Sequence, residues 1–142
     1  MINIFKKKIG DVKSEKNLVL ICALFVHAAK MDENYTDKEK SIILKALSEI
    51  SGKKENELKI ILKKAEKKES QSNQILEFTK EIKSSEKNFK FKILEILWKI
   101  IYSDGASDMY ESTLMRRLSG LLYVSDKEAG DIKKSIMNNK TT

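Results

Sequence analysis

The chain has 142 residues, 41% hydrophobic and 35% charged, with a formal net charge of +7. That length suits one domain with a real core, and the absence of proline with only five glycines leaves too few turn formers for a fold of many strands. The positive excess is lysine, since Arg116 and Arg117 are the only arginines; specific phosphate or base reading leans on arginine's fixed fork, so no specific nucleic-acid partner is expected.

Helical periodicity accounts for nearly the whole chain. Ile2, Phe5, Ile9 and Val12 predict a short amphipathic helix over residues 2–12. Residues 15–31 are apolar nearly all round, the signature of a helix at the centre of a bundle. Its run LVLICALFVHAA has 12 residues, too few for a bilayer span, which needs about 20. Lysines before it and small residues after it also fit a signal peptide. The leading segment would be long for one, however, and the run matches a later internal segment. Cys22, the single cysteine, lies inside this run. It has no partner for an internal disulfide, and reads as a small buried hydrophobe in a reducing, cytoplasmic setting.

The next helix, 37–51, carries Ile42, Ile43, Ala46, Leu47 and Ile50 on one face, and 54–68 carries Leu58, Ile61, Leu62 and Ala65. Within the latter, KKENELKIILKKAEKKE holds seven lysines against four glutamates. It reads as a solvated face with i,i+4 pairs such as Glu55 with Lys59, or as an anion-binding stripe. Helices at 71–83, 87–103, 109–122 and 126–138 complete the chain. Phe25, Phe89, Phe91 and Trp98 fall at helical spacing and are expected in the core. Thr36 with Glu39, Asp108 with Glu111 and Ser125 with Glu128 form three capping-box patterns, and Ser85 is a candidate cap for the helix that carries Trp98. The expected fold is an all-α, single-domain bundle of seven or eight helices, with 15–31 packed on 87–103 at its centre.

A pattern recurs at a separation of 72 residues: Asp32 falls on Asp104, Glu39 on Glu111, and Ile42 and Ile43 on Leu114 and Met115. A helix, an acidic corner and a second helix therefore occur twice. Glu39, Glu111 and Asp108 have structural roles as capping residues. Asp32 and Asp104 do not: each ends a helix, where unsatisfied carbonyls disfavour an acid by about 0.3–1 kcal/mol. Something positive nearby is implied, whether a lysine, an N–H of the next helix or a bound cation. Carboxylates with loop carbonyls suit Ca²⁺ or Mg²⁺, and a structural polar corner remains the alternative. The spacing is not an EF-hand loop, because the twelfth position is Ile43 or Met115, and no Cys/His set suits zinc.

ILWKIIYSDGASDMYESTLMRRLSGLLYVS resembles the second motif of the TerB-like proteins, the tellurite-resistance protein B-like group. That motif runs from an apolar helix through Tyr-x-Asp-Gly-x-x-Asp-x-x-Glu to Arg-Arg and a further apolar run. HAAKMDENYTDKEKSII resembles the first motif, and ILEFTKEI the segment between them; the resemblance covers about residues 15–138. It implies pseudo-twofold helical halves and a role in bacterial stress response, as a module in membrane-linked complexes. It also implies a metal-chelating set, which by position is Asp32, Glu39, Asp104, Asp108 and Glu111. The first motif departs from the pattern, with Glu33 where the family has glycine, and Thr36 where it has an acid.

His27, the only histidine, has no placed Ser or Cys nucleophile and is expected packed or at the rim. No Gly-rich phosphate loop is present. The functional expectation is a non-catalytic interaction module, binding Ca²⁺ or Mg²⁺ at paired acidic corners. Its partners would be proteins, including membrane-associated ones, and a second copy of itself. It would be cytoplasmic, or peripheral at the inner membrane. The alternative is a basic helical protein docking on nucleic acid or anionic membranes through its lysines.

Overall fold

The computed structural model describes residues 14–32, 35–72, 75–104 and 109–141. The expected helix at 2–12 and the Asp108 cap lie outside these. Seven α-helices follow in order: α1 (Glu15–Ala29), α2 (Asp37–Ser51), α3 (Glu55–Gln71), α4 (Ile75–Lys83), α5 (Lys87–Ile101), α6 (Met109–Leu121) and α7 (Asp126–Thr141). Short 3-10 turns, Lys30–Asp32 and Tyr102–Asp104, extend α1 and α5, and there is no strand among the described residues.

The repeat seen in the sequence is a repeat of structure. α5, its 3-10 turn and α6 each begin 72 residues after α1, its 3-10 turn and α2. The two leading helices have the same length, 15 residues. α1 and α5 are also the two central helices: α1 packs on α2, α3, α4 and α5, and α5 packs on α1, α2, α4, α6 and α7. Surrounding α1 this way leaves nearly every one of its residues buried, from Asn17 to Val26 and at Ala28 and Ala29. An all-round apolar sequence requires that position. Burial pushes the Cys22 thiol well above its usual pKa, which keeps it an inert packing residue.

Most sequence-level details agree. Phe25 and Trp98 are buried, whereas Phe89 and Phe91 are half-buried against the core. Glu55 pairs with Lys59 at 3.5 Å and Glu57 with Lys53 at 3.8 Å, as a solvated lysine face requires. Ser125 and Glu128 form their capping box, with Glu128 N–H donating to Ser125 Oγ at 3.1 Å and Ser125 N–H to Glu128 Oε1 at 3.2 Å.

Other details differ, among them the last helix, which runs to Thr141 where residue 138 was expected. Glu86, not Ser85, is the N-cap of α5, and the Ser85 hydroxyl instead donates back to the Ile82 carbonyl at 2.5 Å. The turn after α4 thus consumes the hydroxyl that would have capped the next helix. α3 runs on to Gln71, where residue 68 was the expected end, because Lys68 and Glu69 find partners on neighbouring helices. α4 consequently starts later, at Ile75.

Candidate functional site

The turn that ends α5 meets the start of α2. Thr36 precedes the helix in extended backbone, and Glu39 in its first turn reaches back to it. Glu39 Oε2 accepts the Thr36 N–H at 3.0 Å and also the Thr36 hydroxyl. This satisfies orphan groups at the helix start, the reason a glutamate is favoured at that position. The other oxygen, Oε1, accepts from Ser103 Oγ at 3.4 Å, across to the 3-10 turn that ends α5. Lys38, one residue earlier, donates from Nζ to the Ser103 carbonyl. Consecutive residues of α2 therefore hold the carbonyl and the hydroxyl of Ser103.

The turn itself is anchored by its first residue. The Tyr102 ring stacks on Trp98 of α5, centroids 5.2 Å apart, and is buried. Stacking fixes the exit direction of α5, and so the position of Ser103 beneath the start of α2.

Glu39 is only 4% exposed. Burial, the largest single influence, pushes its pKa up. Hydrogen bonds from the Thr36 side chain, the backbone and Ser103 act against this and together hold it below the usual carboxylate range. It is a fixed anion at the junction of the two halves.

Of the five acids expected at the corners, Glu39 is the one whose side chain is described. Asp32 and Asp104 are placed by backbone as the last residues of matching 3-10 turns, and Glu111 lies in the first turn of α6. Asp108 lies outside the described residues. No group of three His, Cys, Asp or Glu gathers as an ion site among the described residues. The donors that are described at the junction, a carboxylate and a carbonyl, are oxygens of the kind hard cations take.

Beside the first corner lies a polar cluster that the sequence did not single out. Tyr35 donates to Glu66 Oε2 at 2.5 Å, and Lys40 Nζ lies 3.6 Å from the same oxygen. Lys30 and Lys40 stand 5.8 and 5.1 Å from the Tyr35 ring centre. Burial, then the bond to Glu66, push the Tyr35 hydroxyl's pKa up, so it stays protonated. Glu69 takes Lys30 Nζ at 3.0 Å and faces His27 Nδ1 at 3.6 Å. His27 is thus a rim residue paired to an acid. These contacts tie α3 to the end of α1, and their charges are matched internally.

Ser103 and Lys38 were also missed as site residues. A signal existed for Lys38, because a cation in the first turn of a helix opposes the macrodipole as an acid in the last turn does.

Two open clefts of about 360 Å³ each lie elsewhere. One, between α5 and α7, is lined by Phe91, Glu95, Glu128, Asp131, Ile132 and Ser135. Glu95 is paired there with Lys99, and Glu128 with Lys87. The other is crossed by the pairs Glu15–Lys64 and Lys68–Glu77. No helix among the described residues is long and apolar enough to cross a membrane.

The family model described as Tellurite resistance protein TerB matches residues 19–134 of the chain. Neither a curated protein nor a solved structure matches it.

Proposed function

The chain belongs to the TerB family, and from that premise we propose that it is a non-catalytic helical interaction module that binds a divalent cation, Ca²⁺ or Mg²⁺, where its two acidic corners meet. The observation that carries this reading is the grip of Lys38 and Glu39 on Ser103. It draws the end of α5 and the start of α2 to one place, which supports, together with the 72-residue repeat, a reading in which the two corners act together. Asp32 and Asp104, at the ends of matching turns, supply the carboxylates best placed by sequence. Glu39, whose oxygens already hold Thr36 and Ser103, keeps the junction in shape. A bound ion would neutralise acids that otherwise repel one another and oppose the helix ends.

In this role the module is part of a bacterial stress response and works within membrane-linked protein complexes, the cation setting whether a partner can dock. Calorimetric titration of the metal-stripped chain with Ca²⁺, Mg²⁺ and Mn²⁺ tests it. Saturable binding is expected, weakened more by Asp104→Asn than by Asp32→Asn, because Gly105 permits a tight turn after Asp104 where Glu33 follows Asp32. Absence of heat at millimolar ion would leave the acids as caps and turn residues.

A second reading rests on α3. Ile60 is 55% exposed on the face that also presents Lys59, Lys63 and Lys67. An exposed apolar side chain beside lysines suits an anionic lipid surface, where basic residues are attracted and an apolar one inserts. Under this reading, vesicles rich in phosphatidylserine bind the chain at low salt and release it as salt rises, and Ile60→Ser weakens binding without changing the salt slope. Vesicle binding unaffected by salt would remove it.

A further inference from the structure

α6 ends on a residue whose side chain its backbone disfavours. Past Leu121 two bonds close the helix, from the Tyr123 N–H to the Gly120 carbonyl at 3.1 Å and from the Val124 N–H to the Ser119 carbonyl at 2.9 Å. This closure puts Tyr123 in the left-handed region, φ 59°, where a Cβ crowds the backbone and glycine is the usual occupant. α2, the counterpart of α6 in the repeat, ends in the same conformation on Gly52, φ 70°. Tyr123 is the one non-glycine residue with positive φ among the described residues. Burial does not offset the placement: Val124 is buried, whereas Tyr123 is 70% exposed. The ring also gathers charge from two other helices. Lys83, at the end of α4, and Lys90, the fourth residue of α5, bring their ammonium groups to 5.0 and 5.6 Å from its centre. Lys87, which shares that end of α5, is neutralised by Glu128. Among the described residues no acid pairs with Lys83 or Lys90, not even Glu86 one turn before Lys90.

We infer that Tyr123, Lys83 and Lys90 form a docking surface for a carboxylate-rich segment of a protein partner. The inference rests on the interaction-module reading above and supplies the surface that reading leaves open; it does not depend on the cation. The negative face of an aromatic ring attracts ammonium groups, so the two lysines are ordered before a partner arrives and less is lost on binding. Their positive charges then stand at an exposed surface with no acid of the chain to neutralise them, beside a phenol hydroxyl that also donates. A tyrosine is a rigid anchor of the kind that carries binding energy at protein interfaces. Strain at an exposed position, kept where glycine would relieve it, is a mark of function. Other anionic partners fit less well. A nucleic-acid base stacks on an open aromatic face, and here ammonium groups stand over the ring. A lipid surface takes an apolar side chain that inserts, as Ile60 would on α3, and the Tyr123 hydroxyl opposes insertion. Planar, bidentate recognition of phosphate uses arginine, whereas lysine acts as a point charge that a carboxylate satisfies.

The test measures binding of a fluorescently labelled oligoglutamate to the full-length chain at low salt by anisotropy, with an oligothymidylate of equal charge as the second probe. Four proteins are compared: wild type, Tyr123→Gly, Lys83→Gln with Lys90→Gln, and Lys59→Gln with Lys63→Gln, which removes the same charge from the exposed face of α3. Tyr123→Gly is expected to bind oligoglutamate at least about fivefold more weakly, as loss of an interface anchor does, and yet to melt no lower than wild type, because glycine suits the left-handed position. The Lys83 and Lys90 change should weaken binding by about tenfold, two exposed ion pairs' worth, and the α3 change by less than about twofold. Equal losses in the two lysine variants with none in Tyr123→Gly would mean diffuse attraction to the whole basic chain, and the inference falls. It falls also if oligothymidylate binds more tightly and through Tyr123, if Tyr123→Gly melts well below wild type, or if wild type does not bind oligoglutamate at all. None of these substitutions touches the contacts of Ser103, so cation binding measured on the same proteins stands or fails separately.

Discussion

Phe25→Ala should lower the unfolding free energy by about 3–5 kcal/mol, the cost of deleting a large aromatic from a packed core and leaving its cavity. Phe25 is completely buried, in the last third of α1. Partial collapse of the cavity is the usual relief, and here it is restricted. Four helices pack on α1, and each is held by others, α2 by α3 and α5, α4 by α5 and α6. None can move inward without leaving a second partner. A domain of this size is stable by about 5–15 kcal/mol, so the variant should keep its helices yet unfold at a much lower urea concentration. Phe91→Ala is the control. Phe91 is half-buried and lines an open cleft, so its removal vacates space that water already reaches. Equal losses at the two positions would contradict the central placement of α1.

That placement was legible from the sequence because it depends on composition alone. A helix with apolar residues on every side has no solvent face, and only the centre of a bundle accepts one. The repeat was legible for a related reason. Asp32 and Asp104 oppose the field at a helix end, and a feature that costs free energy twice at one spacing stands out from chance. The turns around them do fall at matching positions. Thr36 and Ser125 were readable as helix starts because their partners lie three residues away. What escaped depends on partners far along the chain. Ser85 looks like a cap until its hydroxyl is seen bonded to Ile82. Tyr35 and Glu66 meet because α3 packs on α1, and no periodicity encodes that packing. Lys38 looks like one more solvated lysine among 28 basic residues, and only the position of Ser103 sets it apart.

Replacement of Glu39 by glutamine should cost about 1–3 kcal/mol at neutral pH, the range for leaving buried hydrogen-bonding groups unmatched. The side chains are nearly the same size, so packing is preserved and the loss is polar. Glu39 accepts from three donors, the Thr36 N–H and hydroxyl at one oxygen and the Ser103 hydroxyl at the other. Glutamine has one acceptor oxygen and an NH2 that must face a donor on one side or the other. The pH dependence separates this account from a packing defect. The folded-state pKa of Glu39 lies below its ordinary value because the hydrogen bonds outweigh burial. A lowered carboxylate contributes stability that is fully present above the unfolded-state pKa, about 4.3, and is lost as pH falls through the folded value. Wild type should therefore lose its advantage over Glu39→Gln as pH falls below the unfolded-state value and through the lowered folded-state one, since protonated glutamic acid and glutamine are both neutral. Ser103→Ala removes only the longest of the three contacts. It should cost about 0.5–1.5 kcal/mol and leave most of the acid dependence in place, because the Thr36 bonds persist. Urea titrations of the three proteins at neutral pH and near pH 3 measure all of this. A Glu39→Gln deficit that is the same at both would mean that the charge of Glu39 does not hold α2 to the end of α5.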